Sequence, residues 1–464
     1  MRDGRFVHAN IATLMKRKLF RITIALLVLI VLPLIAWRMY LASVIDRELA
    51  KIQAAGLPIN GAELNRWYPA VPDNQNAALV LTQAFALRRQ YPDARSSLIH
   101  NFKLPNRGEH LSSEQIELLQ GHVELNQTAL GKADEALRLR TSRYPVDYTP
   151  LMNTLLPHLA WLDDIIEMHQ FKAYSAMDSG DAPSAATSIV AMLALARTLD
   201  NEPCLISQLV RLKEIERAFN TLERRANTGP LSAAEIESLA AVFAQTRITN
   251  SSAVAFIGER AMMNPYFRMS RADYARLNPP QEGGEIKTDT PLPCHGSAIL
   301  RLVGYYEIDY GSFLIGMSKA IALSSNAAPD NLRARSYFAR VGEESTKRRR
   351  TISGHVFSSY ANGFARENQA LAHQRLALTA LAIERFRNDN SSLPGSLDDL
   401  VPKYCDETPE DPFTGWDLEF RHADKGYVIY SIGPDRKDDG GLEKADKKQS
   451  DDKKSYDITF IVDR

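Results

Sequence analysis

The sequence predicts a mainly α-helical protein with one membrane-crossing segment near its start and a small α+β unit at its end. Three observations predict it. Ile22 to Trp37 is an apolar run broken only by Thr23; apolar residues recur at helical spacing from about Ser43 to Ser345; and short β-type runs gather after residue 417. At 464 residues the chain has room for two or three domains. Lys+Arg and Asp+Glu are both 56, so the formal net charge is zero, and the basic excess expected of a nucleic-acid binder is missing. Cys204, Cys294 and Cys405 lie far apart, without metal-ligand spacing. They allow at most one intramolecular disulfide, whose pairing the sequence leaves open.

The first segment sets the compartment. Extended through Met39, Tyr40, Leu41 and Ala42, the apolar run spans residues 22–42, broken only by Arg38 and enough to cross a hydrocarbon core. Arg2, Arg5, Lys16, Arg17, Lys18 and Arg21 precede it against the single acid Asp3, whereas its far flank is mixed, with Arg38, Asp46, Arg47 and Glu48. This asymmetry predicts a cytoplasmic tail over 1–21 and an extracytoplasmic body. Trp37 and Tyr40 suit the outer interface. A cleaved signal peptide is the rival reading, but Tyr40-Leu41-Ala42-Ser43 is a poor cleavage site.

Residues 43–345 read as an irregular domain of helical hairpins. The anchor helix continues to Ala55, where Gly56 is placed to end it. The loop from Trp67 to Asn76 follows, then a helix through Arg88, and further helices are predicted at 112–139, 148–178, 184–200, 203–227 and 231–245. One hairpin is explicit. Leu162, Ile165, Ile166, Met168, His169 and Tyr174 form an apolar face, Gly180-Asp181 turns the chain, and Ala185, Ala186, Ile189, Met192, Leu193 and Ala196 form the returning face. Only one such unit is found, too few for a stacked repeat array. Residues 277–294 read as a long loop, 296–340 as a second helical block, and Lys347 to Arg350 as a basic surface run.

No catalytic constellation emerges. Cys294 and His295 are adjacent without an orienting carboxylate. His158 and His169 could share a helix face only if Pro157 leaves that helix intact, and Asp163, Asp164 and Glu167 read as solvated. None of GxSxG, HExxH, GxxxxGK[ST] or GxGxxG is present.

The tail, 361–464, is the most informative stretch. Ala361 to Arg387 reads as one long helix, with Leu376, Ala380, Ile383 and Phe386 on one face and Glu367, Gln374, Arg375 and Arg385 as polar surface. Ser396 with Asp399 predicts a capped helical turn over Leu397–Val401. Asp411-Pro412 and Thr414-Gly415 are turn chemistry, Leu418–Arg421 and Tyr427–Ser431 a hairpin, and Ile458–Val462 a third strand. The expected arrangement is the long helix on a three-stranded antiparallel sheet.

That order resembles the globular domain of type II secretion major pseudopilins. The helix, Leu393-Pro394 through Leu400-Val401-Pro402, Asp411-Pro412-Phe413, Tyr430-Ser431-Ile432-Gly433-Pro434-Asp435 and Asp457-Ile458 occur in family order over under a quarter of the chain. The whole chain also looks like bacterial membrane-anchored proteins that combine such a tail with a helical body. The resemblance implies an α+β pseudopilin-like domain and a loop that binds calcium. Carried across, Asp435 and Asp457 match ligand positions, the Ile432 carbonyl falls where a backbone ligand sits, and Asp438 or Asp439 could replace the acid that Tyr456 displaces. Calcium needs six to eight hard oxygens, which an Asp-rich loop can offer. Read by itself, the loop with Lys444, Lys447, Lys448, Lys453 and Lys454 is equally a solvated polar segment.

The resulting expectation is a single-pass protein of the bacterial inner membrane with a structural or interaction role. Its expected partners are the membrane and envelope proteins of a secretion or pilus-like system, with no nucleic acid. The run 22–42 lacks a pilin-type start, so the tail is expected to dock to other proteins without forming a filament. An anchored extracytoplasmic enzyme with its site in the helical domain is the alternative.

Overall fold

A computed structural model of the chain describes residues 3–103, 107–277, 297–324, 328–348, 350–443 and 456–464. It is mainly helical, with one small antiparallel sheet near the C-terminus. Helix α1 (Asp3–Ala54) runs unbroken from the apolar segment into the body. Its apolar residues stand exposed as far as Trp37, and then Leu41, Ile45 and Ile52 turn one face into the protein. Gly56, at φ +69°, ends the helix, and the Leu57 N–H returns to the Ile52 carbonyl. Among the described residues, one other helical stretch, Ala182–Leu199, is long and apolar enough to cross a membrane, but it is 61% buried and belongs to the core.

Short helices α2 (Gly61–Trp67), α3 (Ala77–Ala86) and α4 (Arg95–His100) precede α5 (Ser113–Leu125) and α6 (Gln127–Ala136). The sequence predicted one helix over 112–139. Asn126 breaks it: its side chain accepts from the Arg89 N–H at 2.7 Å and donates to the Arg89 and His122 carbonyls. Helix α7 (Pro157–Asp178) starts later than the predicted 148, because Pro150 and Pro157 keep the residues between out of a regular helix. It forms the expected hairpin with α8 (Ala182–Ala196), all twelve predicted face residues being buried. Gly180, at φ +76°, makes the turn, and the Asp181 carboxylate accepts the Ser184 N–H.

Then come α9 (Leu205–Thr228), α10 (Ala233–Gln245), α11 (Ser251–Met263), α12 (Arg271–Leu277), α13 (Ala298–Leu302), α14 (Tyr305–Ser324), α15 (Ala328–Lys347) and α16 (Thr351–Asn390). The expected long loop, with Cys294 and His295, lies mostly outside the described residues. Strands β1 (Glu419–His422), β2 (Tyr427–Ser431) and β3 (Ile458–Val462) form an antiparallel meander that pairs Phe420 with Ile429 and Ile429 with Phe460. The sheet packs on the second half of α16, and both share one cluster of buried residues with α3 and α6 to α10. A second cluster joins the end of α1, α11, α14 and the first half of α16. Helix α16 therefore passes through both cores.

Helix α16 starts ten residues before the predicted Ala361, and of its predicted polar surface Arg385 is exposed and Arg375 half-buried, but the other two residues are not surface. Glu367 and Gln374 are buried, the Gln374 amide donating to the Phe243 and Thr246 carbonyls at the end of α10. The early start has a cause in another helix. No side chain at Arg350 caps α16, but the buried Asp309 of α14 accepts the Ile352 and Ser353 N–H groups at 3.0 and 3.2 Å and the Ser353 hydroxyl. Two more uncapped starts are served similarly. Glu367 of α16 accepts the Ser252 N–H of α11 at 2.6 Å. Glu259 of α11 accepts the Leu205 N–H of α9 at 2.9 Å and the Tyr360 hydroxyl at 2.8 Å. Gly258 permits that approach, since a Cβ there would collide with the Pro203 carbonyl.

Losing a helix cap costs about 0.5–2 kcal/mol, and leaving buried N–H groups without partners costs roughly 1–3 kcal/mol each. Asp309→Ala is therefore expected to lower unfolding stability by about 2–4 kcal/mol. Ser396→Ala, which removes an exposed capping box, is expected to cost about 1 kcal/mol or less. Denaturant titrations of both full-length variants, followed by circular dichroism in one detergent, check the ranking.

Candidate functional site

The cleft most suited to a ligand lies where α15 faces the turn before β1. Its volume is about 690 Å³, within the range of small-molecule and peptide sites. Arg333 and Arg340 of α15 and Arg436 of the loop after β2 line it, with Tyr337, Thr414 and Trp416. No carboxylate is among its described lining residues. The Arg340 guanidinium and the Lys319 ammonium lie 5.9 and 4.9 Å from the Tyr337 ring. Trp416 is 79% exposed, an unusual position for so large an apolar side chain.

The turn that presents Trp416 is rigid for a local reason. The buried Asp411 carboxylate accepts the Phe413 N–H at 2.8 Å, the Ser431 hydroxyl at 2.9 Å and the Ile432 N–H at 2.9 Å. The Asp411 N–H donates to the Trp416 carbonyl at 2.6 Å, and the Gly415 N–H donates to the Asp411 carbonyl at 2.8 Å. Gly415 takes φ +78°. The sequence marked Asp411-Pro412 and Thr414-Gly415 as turn residues; it held no sign that the arginines of α15 would lie opposite.

The four aspartates named for calcium share one loop region. Asp438 accepts from the Gly440 N–H at 2.8 Å and the Tyr430 hydroxyl at 3.1 Å, and Asp457 accepts from the Asp439 and Gly441 N–H groups at 3.4 and 2.7 Å. Asp435 accepts from the Lys437 N–H at 3.2 Å. Burial pushes the Asp457 carboxyl up, and the charges of Asp439 and Asp438 add to the rise against those two N–H donors. Among the described residues no three His, Cys, Asp or Glu side chains are gathered as a metal ion requires. The described carboxylates brace the loop backbone, and residues 444–455, with its lysines, lie outside the described residues.

The histidines of α7 do not form a pair. His158 meets both Glu202 oxygens, at 2.9 and 3.1 Å, beneath the Tyr144 ring, and Glu202 also accepts the Ser207 hydroxyl. His169 is buried elsewhere, and burial pulls it down to about 3. Cys204 is a buried thiol that donates to Glu259 at 3.7 Å, and Cys405 is also unbridged.

Asp163 and Glu167 are not simply solvated. Asp163 accepts from Lys213 at 2.7 Å and Arg217 at 2.9 Å, beside the fully buried Glu214. Burial pushes Glu214 up to about 8, with Arg217 opposing and the neighbouring Asp163 adding to the rise. Asp163 itself is held below the usual range, its own burial outweighed by the Glu214 hydrogen bond and by Arg217 and Lys213. Comparisons with protein-family models, curated proteins and solved structures returned no match for this chain.

Because Glu214 titrates higher folded than its ordinary 4.5, its contribution to stability is present below about pH 4.5 and is lost as pH rises through about 8. Glu214→Gln is expected to flatten the loss of melting temperature between about pH 5 and pH 8.5 and to exceed the wild type at the upper end. Thermal melts of both proteins across that range test the sign.

Proposed function

We propose that this chain is a single-pass protein of the bacterial inner membrane, N-terminus in the cytoplasm and body outside, with a structural and interaction role beside a secretion or pilus-like assembly. No catalytic step is assigned to it. The observation that carries the reading is the continuity of α1, whose exposed apolar stretch and core-buried stretch are parts of one helix. Arg38, at the end of the apolar run, pairs with Glu307 of α14 at 2.5 Å, fastening anchor to body. Such a rigid junction suits a protein that presents a surface at a fixed height above a bilayer.

The cleft beside Trp416 supplies that surface. Three guanidiniums and an exposed indole fit an acidic, aromatic-bearing segment of a partner protein, since Arg and Trp dominate binding hot spots. The pseudopilin resemblance supports an assembly-linked partner: α16, the capped turn at Leu397–Leu400, the Asp411 turn and the three-stranded meander follow the order the family suggests. The enzyme reading has less behind it. Asp163 and Glu214 titrate apart as an acid–base pair does, but Glu214 is fully buried and out of reach of a substrate.

A photo-crosslinking residue at position 416 of the full-length chain, expressed in its own host, is expected to capture a secretion or pilus-type component. Position 155, exposed at 84%, is the control. Arg436→Glu is expected to reduce the adduct about tenfold, the equivalent of one lost charged contact. Adducts at 416 that contain no such component, or that recur unchanged from position 155, would remove the association.

A further inference from the structure

Helix α7 closes on α8 through apolar faces, but it meets α9 through a series of polar rungs. At one end His158 meets Glu202 beside Ser207, and at the other Gln170 donates to the Tyr174 and Thr221 hydroxyls at 2.7 and 3.1 Å. The middle rung is ionic. Asp163 and Glu167 of α7 face Lys213, Glu214 and Arg217 of α9. Lys213 lies 2.7 Å from Asp163 and 3.5 Å from Glu214. Arg217 lies 2.9, 3.3 and 4.0 Å from Asp163, Glu214 and Glu167.

Three carboxylates here share two cations. Fully ionised, the rung carries one uncompensated negative charge around Glu214, which is buried completely. Such a charge is strongly unfavourable, and one bound proton removes it. Burial pushes both Glu214 and Glu167 up, as a proton shared within the set requires. The surrounding elements bring no further balancing charge to Glu214. Helix α8 and strand β3 pack on α9 without an ionisable side chain. Exposed His100 of α4 acts on Glu167 from outside. Asp164 pairs with Arg88 of α3, Arg211 with Asp200, and Arg260 of α11 donates to Ser318. Glu259 of α11 takes the Leu205 N–H, and His373 of α16 stacks on Phe219.

Helix α9 also closes the edge of the sheet. Asn227 and Glu223, near its end, bind the backbone of Ile461 and Asp463. We propose that the α7–α9 seam is a proton-gated latch: one proton held among Asp163, Glu167 and Glu214 keeps α9 seated on α7, and its loss to alkaline solution loosens α9 together with the seal on β3. The closed seam holds the proton more tightly than an open one would. The latch is therefore fully closed below about pH 4.5 and releases as pH rises through about 8.

Hydrogen–deuterium exchange of the full-length chain in detergent, at pH 6 and pH 9 with labelling times scaled to the intrinsic rate, tests this. Protection over residues 205–228 is expected to fall about a hundredfold between the two, as linkage to one proton held to about pH 8 requires. Residues 458–464 are expected to lose protection with it, while α8 keeps its own. Glu214→Gln, which retains a hydrogen-bond donor without the charge, is expected to stay protected at both pH values. Glu167→Gln leaves two carboxylates on two cations and is expected to shrink the fall; it alters only a half-buried side chain, so it serves if Glu214→Gln does not fold. Equal wild-type protection at the two pH values, or a fall undiminished in every variant that folds, would overturn the latch. So would a loss spread evenly over all helices. Opening of 205–228 with 458–464 still protected would overturn the link to the sheet.

Discussion

Three buried carboxylates, each bound to the start of a neighbouring helix, hold the body together. Asp309 of α14 caps α16, Glu367 of α16 caps α11, and Glu259 of α11 caps α9. A buried carboxylate without compensation is strongly unfavourable. The positive end of a helix supplies that compensation through unpaired N–H groups and the macrodipole. Each contact therefore solves two problems together: it offsets part of the acid's desolvation, and a helix start that lacks its own cap gains one. Because donor and acceptor belong to different helices, the same contact fixes how those helices sit against each other. Apolar packing would tolerate small slips between helices; a carboxylate hydrogen-bonded to the first N–H groups of a helix, two of them at Asp309, does not.

The relay begins next to the exposed apolar stretch of α1. Glu307 and Asp309 stand two residues apart near the start of α14. Glu307 takes Arg38 of α1, and Asp309 takes the first turn of α16. Ile45 and Ile52 of α1 pack into the same cluster as Phe313 and Met317 of α14. A tilt of α1 would have to strain one of these contacts or carry α14 with it. Since α16 continues into the larger core and under the sheet, the orientation of α1 is mechanically linked to the cleft beside Trp416.

Much of this was legible wherever the signal is local. The α7–α8 hairpin could be read residue by residue because apolar periodicity and a Gly-Asp turn lie in adjacent sequence. The Ser396–Asp399 capping box and the strands at Tyr427–Ser431 and Ile458–Val462 were visible for the same reason. What escaped is non-local. Glu367 and Gln374 have the spacing of a solvated stripe, and only the approach of α11 and α10 turns them into caps. Asp309 carries no local sign of a cap; it becomes one only because the start of α16 is placed over it. The cleft depended on the same kind of information, because Arg333 and Trp416 share no local pattern.

The sheet shows how far the tail relies on the body. Strand β3 lies at the edge of a three-stranded sheet, and an open edge presents unpaired backbone groups that invite pairing with another chain. Here α9 closes it with side chains. Asn227 donates to the Ile461 carbonyl and accepts the Asp463 N–H, both at 2.8 Å, and Glu223 accepts the Ile461 N–H at 2.7 Å. Arg107 holds Glu223 in turn at 2.9 Å, and Arg464 binds Glu384 of α16 and the Ala226 carbonyl. These side chains perform the role of a fourth strand. A sheet that paired with another chain through β3 would need that edge open, whereas it is already occupied by the protein's own helical body. The turn bearing Trp416 lies outside that seal, and its indole stays exposed while the sheet edge is closed.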